Sequence, residues 1–153
     1  MFDYRLEHIM SYYITGKFPE IIGPLAEGLR LNFYITGGEV SGPKVLGKVR
    51  PGGGDWMTIR HDGIGILDIR ATIETHDGAL IYAAVGGTFD FGEDAYEQFL
   101  QGKQPPSGAP FRASPRYHTA HPSYLWLNRL HCLGIGAAYT ERLRIAYDIY
   151  AVL

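Results

Sequence analysis

An all-β fold, an antiparallel sheet closed into a barrel of about eight to ten strands with one short helix, is what the sequence predicts. Three observations point there. Apolar and polar side chains alternate with period two over several stretches, the mark of a strand with one wet and one greasy face. Gly-Gly and Asp-Gly pairs that suit tight turns separate those stretches. The composition, with 20 Gly, 11 Tyr and 7 Phe among 153 residues, favours strands and turns over long helices.

Arg5 to Ile14 reads as the first strand, because Leu6, His8, Met10, Tyr12 and Ile14 share a face. Gly23-Pro24 and Glu27-Gly28 then punctuate the chain. Leu29 to Ile35 sets Leu29, Leu31, Phe33 and Ile35 against Arg30, Asn32 and Tyr34, and Gly37-Gly38 ends it. Val45 to Val49 is short, and the loop Pro51-Gly52-Gly53-Gly54-Asp55 feeds a strand from Trp56 to the Asp62-Gly63 turn. Ile64 to Thr75, the turn His76-Asp77-Gly78 and Ala79 to Thr88 make the strongest hairpin, since Asp-Gly fits turns that match strand twist. Gly92 to Gly102 breaks the alternation and places Tyr96, Phe99 and Leu100 at helical spacing, so it reads as the short helix. Lys103 to Pro110 is a surface loop, and Phe111 to Thr119, Tyr124 to Leu133 and Leu143 to Val152 supply the last strands. A chain of this length buries roughly 70% of its unfolded surface, so residues 1–153 are expected to form one barrel domain.

Composition excludes several functions. Sixteen acidic against fourteen basic side chains, with no basic stripe, argue against nucleic acid. No apolar run reaches ~18 residues and the first residues lack a signal peptide's apolar core, so a soluble, cytoplasmic protein without membrane contact is expected. Cys132 is the single cysteine, which rules out an intrachain disulfide and reads as a small buried hydrophobe. The six histidines lack a metal-ligand spacing, so no metal is expected. Gly52-Gly53-Gly54 has no Lys-Ser/Thr pair or helix after it, Gly134-Ile135-Gly136 is no dinucleotide fingerprint, and there is no nucleophile elbow. No cofactor is expected.

What remains is the alternation. One phase carries Trp56, Thr58, Arg60 and Asp62, then Asp68, Arg70, Thr72 and Glu74, then Tyr124, Trp126 and Asn128; the other is apolar. Turned outward, the charged phase is an ordinary wet face. Turned inward, its Arg, carboxylates and aromatics make the lining of a small-molecule pocket, and the apolar set then needs a cover, which predicts a homo-oligomer. On this second alternative Arg60, Asp62 and Arg70 point into one cavity with Trp126 and Asn128. Asp62 in its turn and Arg70 beside Asp68 and Glu74 also have plain structural explanations, a turn and an ion-pair network.

Gly52-Gly53-Gly54-Asp55-Trp56, Arg60-His61-Asp62-Gly63, Asp68-Ile69-Arg70, Asp77-Gly78-Ala79-Leu80-Ile81-Tyr82 and Tyr124-Leu125-Trp126-Leu127-Asn128, in that order, resemble an uncharacterised family of single-domain bacterial and fungal proteins. That family is known as a domain of unknown function with a barrel like the calycins or lipocalins. The resemblance spans nearly the whole chain and implies an antiparallel barrel with an internal cavity, without implying a reaction. The family's recurrent polar positions match Asp55, Arg60, Asp62, Arg70, Trp126 and Asn128, and His118 stands where the family tends to carry a Glu, which would add an acid or base near neutral pH.

Two functions fit. In the first, a cofactor-free enzyme acts on an aromatic, polyketide-like or enolisable metabolite by isomerisation, cyclisation, elimination or lactone opening. Asp62, Asp55 or His118 would move the proton, and Arg60, Arg70 or Asn128 would stabilise an oxyanion. In the second, the barrel is a carrier in which Arg60 or Arg70 pairs an anionic group, Trp56, Tyr82 and Trp126 pack on a ring and Asn128 orients a carbonyl. Unpaired charges in a carrier's mouth cost desolvation, which favours the enzyme.

Overall fold

Most of the period-two stretches become strands, and these close into a ring. A computed structural model describes residues 1–104 and 107–153 of the chain. Its strands are β1 (Leu6–Gly16), β2 (Glu20–Leu25), β3 (Gly28–Ser41), β4 (Gly47–Val49), β5 (Gly54–Ile59), β6 (Ile64–Thr75), β7 (Leu80–Asp90), β8 (Ala109–His118), β9 (His131–Tyr139) and β10 (Arg144–Val152), with the helix α1 (Ala95–Leu100) between β7 and β8. All pairings are antiparallel. The order runs β1-β10-β9-β8-β7-β6, then β4 and β5 end to end between β6 and β3, and β3 pairs back to β1. The result is a closed antiparallel β-barrel of eight strand positions, because β4 and β5 share one position and β2 continues the line of β1 along β3. A barrel of this size has an interior that side chains just fill or that holds one small ligand.

Closure sorts the side chains by parity. Leu67, Ile69, Ala71 and Ile73 of β6 are buried, as are Met57 and Ile59 of β5, while Arg60, Asp68 and Arg70 are exposed. The inward alternative for the charged phase is therefore corrected: the apolar phase fills the barrel and the charged phase faces water, since the dry inward positions bury more apolar area than paired charges could repay. With the apolar set of β5 and β6 inside, it needs no second copy to cover it.

Two further elements differ from expectation. Tyr124 to Leu133 is not one strand. Pro122–Arg129 is a 3-10 helix and β9 starts only at His131. Pro122 opens the helix, the His121 ring nitrogen accepts from the Ser123 N–H at 3.3 Å, and Tyr124 and Leu127, three apart, are the buried pair that a three-residue turn requires. The short β2 lies where only punctuation was read, with all six residues exposed. Residues 105 and 106 of the expected Lys103–Pro110 loop lie outside the described residues. Among the described residues no helix is long and apolar enough to cross a membrane.

Parity predicts stability. Ile73, with 0% exposure in the core, replaced by Ala should cost about 2–5 kcal/mol, whereas Arg70→Ala should change stability by less than about 1 kcal/mol. Urea unfolding of the two variants beside the parent checks both values.

Candidate active site

The barrel wall is incomplete at one corner. β1 ends at Gly16 and β10 begins at Arg144, opposite Thr15, so among the described residues β2 pairs with β3 and has no strand on its other side. Gly16 carries no Cβ, and a Cβ there would sit 2.1 Å from Cζ of Phe33, so the ring of Phe33 occupies that space at the corner. Phe18, Pro19 and Ile21 from the β2 side, Leu143 to Ile145 from the start of β10, and Phe99 with Gly102 to Gln104 from α1 and its exit border the opening. Leu31, Phe33, Asp55, Met57, Phe89 and Phe91 form the inner wall. The centres of water-sized spheres reach about 90 Å³ of this hollow, less than the pocket of a drug-sized ligand provides.

One charged group lies deep in this cavity. Asp55 is on the inward parity of β5, in register with Phe33 of β3 and Ile69 of β6, and is 4% exposed. Its Oδ1 accepts a hydrogen bond from the Asp68 N–H at 2.9 Å. Burial away from water raises its pKa from 3.8 to about 7, against the opposing effect of that backbone N–H. Beside it stands Tyr147, buried on β10, whose phenol burial and the Asp55 charge push far above its ordinary range. The ring of Tyr147 packs on Tyr12 at 4.8 Å and on Phe111 at 4.6 Å, and the Tyr12 hydroxyl donates to that of Tyr117 at 3.2 Å. These aromatics fill the barrel next to the cavity. Cys132 is buried, with its thiol pushed up to about 11, which leaves it unreactive.

Of the residues the sequence singled out, Asp55 is the one that lines the cavity. Arg60 pairs with Asp62 across the outward turn, both about half exposed at 53% and 50%. Arg70 pairs with Asp68 on the outer face of β6 at 2.6 Å. Tyr82 and His118 are exposed cross-strand neighbours on β7 and β8, their rings 6.0 Å apart. Trp126 lies on the 3-10 helix with its indole N–H on the Ser123 carbonyl and Lys44 over its ring. Asn128 ties down its own loop, accepting from the Thr119 N–H and donating to the Thr119 carbonyl, both at 2.9 Å. Trp56 is half-buried and borders a separate, shallower hollow with Lys17, Tyr34 and Pro51. Sequence reasoning missed Phe89, Phe91, Phe99 and Lys103 as lining. The signal for Asp55 was available: it shares its parity with Met57 and Ile59, a carboxylate on an otherwise apolar phase.

The comparisons with known proteins agree with this architecture. The profile of a family described as a protein of unknown function, DUF3237, matches residues 4–152. The chain belongs to this family. It is 35% identical over 152 residues to a UPF0311 protein of Rhodopseudomonas palustris, covering 97% of each chain. Among solved structures, a conserved protein of unknown function from Rhodopseudomonas palustris superposes with a TM-score of 0.88 at 27% identity over 100% of both chains. A structure described as an enzyme from Penicillium herquei shares the fold, with a TM-score of 0.74 at 21% identity, over 98% of this chain and 95% of that one.

The Asp55 carboxyl couples stability to pH. Because the folded state holds this proton to about pH 7 and an ordinary carboxyl releases it near 3.8, stability falls as pH rises across that interval and levels above it. Asp55→Asn, which keeps an acceptor for the Asp68 N–H, should stabilise the protein by a few kcal/mol at about pH 8, and the gain should vanish toward about pH 4. Thermal melts of both proteins across that range read it.

Proposed function

We propose that the family member described here is a cofactor-independent enzyme in which Asp55 moves a proton to or from a carbon of an aromatic, polyketide-like or enolisable metabolite held in the cavity. The observation that carries this reading is a single carboxyl, buried in an apolar aromatic cavity, whose proton leaves near pH 7. A base poised near the working pH combines a useful ionised fraction with a strong driving force for proton transfer. Desolvation also makes the ionised carboxylate a stronger base than it is in water. Phe33, Phe89, Phe91 and Phe99 give a flat unsaturated substrate its stacking surfaces and exclude water. Isomerisation, cyclisation, elimination and lactone opening each need this proton transfer, and none needs a redox group. Arg60, Asp62, Arg70 and Asn128 have no part in this reading, because they lie outside the cavity in pairs or ties of their own.

The apolar character of the rest of the inner wall favours a second reading, a carrier whose Asp55 orients its ligand without turnover. Hydrogen–deuterium exchange separates the two. With 2-tetralone and related enolisable aromatic ketones in D2O, followed by proton NMR, the enzyme should accelerate loss of the signal beside the carbonyl. Its rate should rise with pH and level above about 7, as the base form fills. Asp55→Asn should reduce that rate about 10²- to 10⁴-fold, while Arg60→Ala leaves it unchanged. Ligand binding without any protein-dependent exchange across the series would establish the carrier.

A further inference from the structure

We infer that the mouth of the cavity recognises a negative group, so that the ligand is an amphiphile with an apolar aromatic body inside and one carboxylate, or an acid of like charge, at its outer end. This deepens the reading of the cavity as the substrate site and rests on it. The charged residues of the lining are divided by depth. Asp55 is inside and 4% exposed; Lys103 is exposed and Arg144 half-buried, both at the opening.

The local chain geometry puts those cations there. Gly102, at a φ of 72°, turns the chain out of α1, and the Lys103 N–H donates to the Gln98 carbonyl at 2.8 Å. Lys103 and Gln104 therefore lie along the mouth. Leu143, at a φ of 48°, turns the chain into β10 so that Arg144 is its first residue. The Arg144 guanidinium lies over Tyr13 at 4.1 Å and near Tyr139 at 5.8 Å, both exposed rings on the outer face beside the opening, and its Nε is buried without an acceptor. Among the described residues neither Lys103 nor Arg144 has a carboxylate in ion-pair contact.

The outer Arg60 and Arg70 each pair with a neighbouring carboxylate, as surface cations commonly do. Two cations that flank an opening and lack such partners present donors to whatever emerges from it. Stacking holds the Arg144 side chain in place, so less side-chain freedom is lost when an anion binds. The interior, by contrast, disfavours an anion: its wall is apolar, and Asp55 adds a like charge there once it ionises. An acid is consequently bound in one orientation, head at the mouth and body inward, which brings the carbon skeleton to Asp55. Lys103 and Arg144 are thus specificity-determining residues, distinct from the proton-transfer group.

Calorimetry with 2-naphthoate, methyl 2-naphthoate and 2-naphthylmethylammonium tests this at about pH 6, below the value of about 7 at which Asp55 ionises. In low salt, 2-naphthoate should bind roughly three- to tenfold tighter than its ester, and the ammonium least well. About 0.5 M NaCl, which shortens screening to a few ångströms, should erase the difference and leave the ester's affinity unchanged. Lys103→Glu should invert the preference between naphthoate and ammonium, and Arg144→Gln should weaken naphthoate alone. Equal or tighter binding of the ester in low salt overturns the inference while leaving the cavity as the ligand site. A preference for the acid that survives both salt and Lys103→Glu overturns it as well. If none of the three compounds binds, the cavity reading itself fails and the inference with it.

Discussion

Closure of the sheet through β1, which pairs with β10 on one edge and with β3 on the other, is the constraint on which everything else depends. A closed ring gives the strands of its wall, β2 apart, one dry and one wet face, and placing β5 and β6 by one residue each settles the rest of their side chains. Ile69 and Ile73 inside fix Asp68 and Arg70 outside; Met57 and Ile59 inside fix Arg60 outside and bring Asp55 in. The same alternation that makes the core therefore delivers one carboxylate into it. That carboxylate is tolerated because the Asp68 N–H satisfies one oxygen and because it can keep its proton to about pH 7.

The proposed site lies where closure lapses. At the corner between β1 and β2 the chain leaves the ladder, β10 has not yet begun, and side chains and the exit of α1 border a gap that the Gly16 N–H to the Leu143 carbonyl and the Lys17 N–H to the Tyr34 carbonyl tie at its edges. Such a corner admits a ligand without breaking a strand pair. It also explains the cavity's composition: inward positions of a barrel are apolar by the demand of the core, so a site built from them inherits aromatic walls and few polar groups. Chemistry in such a place rests on a single group whose properties the surroundings alter, and polar recognition is displaced to the rim.

Much of the barrel was legible in the sequence. β6, its Asp-Gly turn and β7 stand where alternation and turn chemistry put them, and α1 lies within the expected Gly92–Gly102 segment. Two elements were not. Residues 122–129 alternate like a strand over Tyr124 to Asn128, yet Pro122 and the three-residue spacing of Tyr124 and Leu127 favour a tight helix, and alternation over so few residues fits either. β2 carries no alternation because none of its residues is buried, so it held no periodic signal to find. Of the site, Asp55 was named from its motif while the phase chosen for the pocket was its opposite. Charge and aromaticity are clustered on the outer phase, and a pattern search is drawn to clusters.

The sequence by itself determined that strands would form, where most of them lie and that two sets of residues would occupy opposite faces, because period two is a property of the backbone alone. Which face became the interior was a matter of the whole ring. The dry set had to contain enough apolar volume from every strand at once, and no single strand records that sum. Tertiary structure likewise decided that Phe33, Phe89, Phe91 and Phe99, distant along the chain, share one cavity with Asp55, and that Lys103 and Arg144 border the same cavity. Those are long-range contacts, fixed by register and closure, and they turn an unremarkable carboxylate in a Gly-rich loop into a buried one with an altered pKa.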